Sequence, residues 1–160
     1  MSDERGSNWV KVAVALEQDE DDYPPAAYET LWASLVEVGL YKIDNIPFFA
    51  MGIALEDVVS AEPEQGVLRF REVVRPSGHS TIRIFTEDTE QIAPIRAFFA
   101  ELGCLSEQSH IPGLISLDVP PSVPLEPLRQ FLADGAAEDS WGYEEACLAD
   151  PAIHPTPGAA

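Results

Sequence analysis

The chain is short of positive charge. Nine Lys and Arg stand against 28 Asp and Glu among 160 residues, a formal net charge of −19. Such a body repels nucleic-acid phosphates and anionic lipid, so nucleic-acid binding is disfavoured and a basic protein partner is favoured. Cysteine is scarce too: Cys104 and Cys147 are too few for a disulfide scaffold and lack further ligands at metal-binding spacing. No apolar run reaches bilayer-spanning length, so no membrane insertion is expected. The opening residues MSDERGSNWV lack the charged-then-apolar layout of a secretory signal, and the sequence predicts a cytoplasmic protein. No phosphate-binding glycine loop, GxSxG elbow, HExxH or CxxC occurs. The three scattered histidines predict no metal site, and no cofactor is expected. These absences lean against an enzyme, although an unusual constellation can still be assembled in three dimensions.

What is there suffices for an interior: 46% of the residues are hydrophobic, enough for one domain or two small ones. The charge does not separate the halves, since residues 1–78 and 79–149 each carry a net −9. Residues 1–8 and 150–160 are polar or proline-rich and read as disordered tails, the second carrying His154.

In WVKVAVALE, residues 9–17, Val10, Val12 and Val14 alternate with Lys11, Ala13 and Ala15, which predicts a strand with one buried face. An acidic loop with Pro24-Pro25 follows. Residues 28–36 fit a helix or a strand; the strand is preferred because it leads through Gly39 into a second alternating run, LYKIDNIPFF, that Pro47 bends or ends. EDVVSAE (56–62) and VLRFREVVR (67–75) are two more strands, the latter with Leu68 and Phe70 inward and Arg69 and Arg71 outward. Short strands at close spacing predict a small β-barrel-like domain over residues 9–77.

The second half reads as strand 80–86, an amphipathic helix 91–102 with Ile92, Ile95, Phe99 and Leu102 inward, strands 104–110 and 114–119, a helix 123–134 ended by Gly135, and strand 141–148. That β-α-β-β-α-β order predicts a ferredoxin-like domain over residues 78–149 and an α+β protein overall. It also sets Cys104 and Cys147 near opposite edges of the sheet, out of disulfide reach.

Candidate chemistry gathers at the junction. Arg69, Arg71, Arg75 and Arg83 surround Ser77-Gly78-His79-Ser80-Thr81. Arginines beside hydroxyls suit a small anionic ligand, held by Arg69, Arg71, Arg83, Ser80 and Thr81, and His79 could move protons there. The simpler reading pairs those arginines with acids across the sheet and makes SGHST an interdomain turn. Asp57 is a candidate general base for His79, although no spacing rule supports the pair. Asn45 either caps a turn or touches a ligand, and Phe48, Phe49 and Met51 line a pocket or, as the better reading, fill the core. Glu87, Asp88 and Glu90 fall at a helix N-terminus, where the dipole favours them, and the acids at 17–22 and 138–145 look solvated; together they could instead make a negative face for a basic protein.

The blocks NIPFFAMGIALEDVV, SGHSTIRI and WGYEEACL, with Glu29-Thr30-Leu31-Trp32-Ala33 ahead of them, resemble a bacterial family of uncharacterised proteins, domain-of-unknown-function family 4265. The resemblance spans roughly residues 9–148. It implies relatives but no established activity, and it supports the strand at 29–36. The leading expectation is therefore a non-catalytic protein-binding module, an inhibitor, immunity-type or regulatory factor. The alternative is an anionic-ligand binder or enzyme working around His79.

Overall fold

The computed structural model describes residues 9–149, so the two expected tails and His154 lie outside the described residues. The fold is mixed α+β, mostly strand, with two sheets and two α-helices. The chain divides into two compact units between Ser77 and Gly78.

In the first unit, β1 (Trp9–Ala15), β2 (Tyr28–Glu37), β3 (Leu40–Ile43), β4 (Val58–Glu64) and β5 (Val67–Arg75) pair in sequence order, each antiparallel to the next. β1 then pairs in parallel with β5, Val12 opposite Leu68, and the sheet closes on itself with no free edge. Alternation drives this: Val12, Val14, Leu31, Ala33, Ile43, Val59 and Ala61 face inward, and the small alanines let the ring stay tight. Gln65 and Gly66 both hold positive φ, the signature of a two-residue turn whose twist matches the strands it joins.

Two expected boundaries shift. The second run does not continue as strand into DNIPFF; β3 stops at Ile43, and residues 44–57 form a long loop. β4 begins at Val58 rather than at residue 56, because Asp57 turns its carboxylate back onto the loop, where it accepts from Ala54 N at 2.9 Å.

The second unit runs β6 (Ser80–Phe85), a short 3-10 turn (Thr89–Gln91), α1 (Ile92–Glu101), β7 (Leu105–Gln108), β8 (Leu114–Val119), α2 (Leu125–Ala137) and β9 (Gly142–Cys147). Its strands lie in the order β7-β8-β6-β9, with every neighbour antiparallel. Ile82, Ile84, Ile115, Leu117 and Val119 point to the helix-covered face, where they meet Ile92, Ile95, Phe99, Leu125, Leu128 and Leu132. Phe98 stacks on Phe131 at 4.0 Å, and Phe131 leans on Trp141 at 5.2 Å.

Two helix expectations are corrected. Leu102 does not face inward: it follows the last turn of α1 and is exposed, while Gly103 takes the positive φ that lets Cys104 N return to Phe99 O. Gly135 does not end α2, which continues to Ala137. It is needed for packing, since a Cβ there would sit 1.9 Å from the Trp141 ring. β7 and β9 are opposite edges, and neither Cys104 nor Cys147 is in a disulfide among the described residues.

Candidate functional site

The arginines of the junction are held by glutamates of their own unit. On β5, Arg71 Nε donates to Glu62 Oε2 at 3.1 Å, and its Nη2 donates to Glu64 at 3.3 Å. These two hydrogen bonds, Glu62 first, raise the Arg71 pKa above its ordinary value. Arg75 donates to Glu37 at 2.9 Å. Arg69 lies 3.7 Å from Glu64, with its guanidinium 4.9 Å over the Tyr28 ring. On β6, Arg83 is buried and donates to Glu144 of β9 at 2.9 Å. The cross-strand pairing of arginines with acids that the alternation suggested is the arrangement found.

The carboxylate on His79 Nδ1 is Asp118, with its two oxygens at 2.9 and 3.0 Å. Asp118 sits on β8 directly opposite Thr81 and is buried, as are Ser80, Thr81 and Ser116. Thr81, Arg83, Ser116 and Asp118 alternate with the core residues of β6 and β8, so they occupy the sheet face away from the helices. Ser80 Oγ accepts from Ala149 N at 3.0 Å. The expected partnership of Asp57 with His79 is corrected: Asp57 accepts from Ala54 N and, at 2.8 Å, from Ser77 N, which makes it a backbone clip of the first unit. Asp118 escaped the sequence reading because only the β6–β8 register sets it beside Thr81. The alternation of Ser116 and Asp118 within LISLDV was its one visible signal.

Polar clips also explain the DNIPFFA block. Glu29, on β2, receives three backbone N–H groups of the loop: Phe48 at 2.6 Å, Phe49 at 3.0 Å and Ala50 at 2.7 Å. Asn45 Oδ1 accepts from Trp32 N, and Ser77 Oγ donates to Leu55 O at 2.7 Å. A loop of this length carries many backbone donors with no ladder to join, and these side chains satisfy them. Phe48 and Phe49 do not fill the core as expected. They are half-buried, Phe49 meets Tyr23 edge-on, and Ala50 and Ile53 enter the core instead. Met51 is exposed.

Within the second unit a cleft of about 530 Å³ lies where the end of β6 faces the α2–β9 connection. Its lining brings Glu87 and Asp88, which follow β6, together with Asp139, which precedes β9, beside Phe85, Trp141 and Gly142. Thr86 Oγ1 donates to Ser140 O at 3.1 Å and ties the two segments together. Trp141 Nε1 donates to Leu132 O, which holds the indole against α2. Asp88 accepts from Glu90 N, whereas Glu87 and Asp139 have no side-chain hydrogen bond or ion pair among the described residues. The sequence showed these acids as a helix-terminal group and a solvated group about fifty positions apart; only tertiary structure brings them to the lining of one cleft. Among the described residues no three metal-ligating side chains converge. Burial, and secondarily the Asp118 charge, pushes the Cys104 thiol up to about 12, so it stays protonated near neutral pH.

A solved structure titled as that of a hypothetical protein from Neisseria gonorrhoeae is similar to this chain, with a TM-score of 0.73 and 27% sequence identity over 88% of this chain and 95% of that one. No curated protein matches. A family model described as Domain of unknown function (DUF4265) matches residues 29–143, the span that includes the clipped loop, the His79–Asp118 pair and the whole cleft. The resemblance carried by the DNIPFFA and SGHST blocks is thus one of descent, and the chain belongs to the DUF4265 family.

Proposed function

We propose that this protein is a cytoplasmic, non-catalytic binding module that engages a basic protein through its anionic surface, as an inhibitor, immunity-type or regulatory factor would. We read its closed sheet as a small β-barrel and its second unit as ferredoxin-like; the β-α-β-β-α-β order with strands arranged β7-β8-β6-β9 supports the latter. One observation carries the functional reading: Arg69, Arg71, Arg75, Arg83 and Arg129 are each paired with a glutamate inside the protein. Five of the nine cationic side chains are therefore engaged internally. The acids at 17–22 and in the cleft face solvent without such partners among the described residues, and the net charge of −19 makes the long-range field negative. Immobilised protein should capture a defined partner from lysate of the source cells, and that capture should collapse in moderate salt. A monomer that captures nothing, or one whose capture is indifferent to salt, sinks the reading.

One observation favours a second reading, a small anionic-ligand site or enzyme centred on His79. A buried carboxylate lies within hydrogen-bond distance of His79 Nδ1, an imidazole–carboxylate pair of the kind found in proton-transfer sites. Calorimetric titration with small carboxylates and phosphates should then give heat that His79→Gln abolishes. An athermal wild type, or a response that His79→Gln leaves intact, rules it out.

A further inference from the structure

We propose that the cleft of the second unit seats an arginine or lysine side chain from an extended segment of the basic partner, which lies along the open edge of β9. This rests on the basic-partner reading and names where on the surface it is realised.

The chemistry of the cleft selects the ligand. Glu87, Asp88 and Asp139 bring three carboxylates to the lining of one cleft, and among the described residues no cation pairs with any of them. An anion is repelled there, and an apolar ligand would have to desolvate carboxylates without compensation. A metal ion needs its ligands gathered within one coordination sphere, and among the described residues no three such side chains are so gathered. A long organic cation has no such requirement. Phe85 is 46% exposed and Trp141 is half-buried in the same cleft, which places aromatic surface where a guanidinium or ammonium can rest against it. Gly142 leaves the floor open: a Cβ built there meets nothing within 4 Å. The volume is within the usual range for sites that enclose a compact group.

Gly142 is also the first residue of β9, and this points to a polypeptide rather than a free amine. β9 is the outer strand of its sheet and pairs only with β6 among the described residues. Its other side presents strand backbone with no ladder beside the cleft, and an extended segment can pair with that edge while its cationic side chain enters. The other edge, β7, has only four residues, and the cleft lining includes none of them.

The experiment is a ¹⁵N-labelled NMR titration of the whole protein with the peptide Thr-Val-Arg-Val-Thr, capped at both ends, and with its citrulline counterpart, which keeps the shape and removes the charge. Saturable shifts are expected at Phe85–Asp88, at Asp139–Glu144 and at the Trp141 indole N–H. Replacing arginine with citrulline should weaken binding about tenfold or more, as should the double substitution Glu87→Gln with Asp139→Asn. Both positions are exposed, so that variant should keep the wild-type thermal midpoint. Equal binding of the citrulline peptide overturns the proposal. So does an equal, saturating response to free spermidine, which would make a polyamine the ligand. Shifts confined to the acidic stretch 17–22 overturn the cleft assignment while leaving the basic-partner reading intact; no saturable shift anywhere removes both.

Discussion

The two units bury their interiors by opposite routes. The first bends five strands until β1 meets β5, and no helix is needed. The second leaves its four strands open and covers one face with α1 and α2. Each route has a weak point. Closure leaves a long connection, residues 44–57, whose ends still bond to strand carbonyls of β2 and β3 while the carboxylates of Glu29 and Asp57 take donors of its middle. An open sheet leaves two edges, and β9 borders the acidic cleft. In the first unit Glu29, Asn45 and Asp57 are thus committed to holding that loop, while that unit's acids at 17–22, like the cleft acids of the second unit, face solvent.

That contrast can be broken by mutation. The largest effect is expected from Phe99→Ala in the second unit. Phe99 is 1% exposed and meets Phe98 and Phe131, so its removal should cost about 3–5 kcal/mol, read as a lowered urea midpoint with early loss of hydrogen-exchange protection in β6 and β8. A loss under about 1 kcal/mol would mean the helices are not what holds that core. In the first unit a polar residue should matter most. Glu29→Ala strands three loop amides and should cost about 1.5–3 kcal/mol, with faster exchange at Phe48, Phe49 and Ala50. Arg71→Ala, which cuts exposed ion pairs of the same unit, should leave the midpoint where it is. If the two substitutions behave alike, the clip is not structural.

An electrostatic effect, silent near neutral pH, belongs to Cys104. Its folded pKa is raised from 9.0 to about 12, so the folded protein holds a proton that the unfolded chain releases. The resulting stability is complete below the unfolded value and is lost as pH rises from about 9 towards about 12. Cys104→Ala should flatten that part of the stability–pH curve, and the native thiol should resist alkylation at neutral pH until the protein unfolds. Rapid labelling of Cys104 in the folded state would contradict its burial.

Much of the architecture was legible in the residues. Alternation in WVKVAVA, VLRFREVVR and STIRIF marked strands, and the leucine spacing of 125, 128 and 132 marked α2, because each pattern repeats with the period of its own backbone. Positions that answer to distant partners were not legible. Gly135 looked like a helix stop, since nothing local announces the Trp141 ring. Phe48 and Phe49 looked like core because they are aromatic, yet Glu29 holds their backbone in a loop. Asp57 looked like chemistry and is a clip, whereas Asp118 looked unremarkable and holds His79.

The sequence alone therefore determined the strand and helix periods, the family and the negative charge, all of which are local or additive along the chain. Only tertiary structure decided which acids are satisfied and which line one cleft, because hydrogen bonds and clefts depend on distances between residues that are remote along the chain. The same residue type, a carboxylate, is a backbone clip at Glu29, a histidine partner at Asp118 and a cleft wall at Asp139. What separates the three is burial and the donors within reach, and no window of sequence contains either.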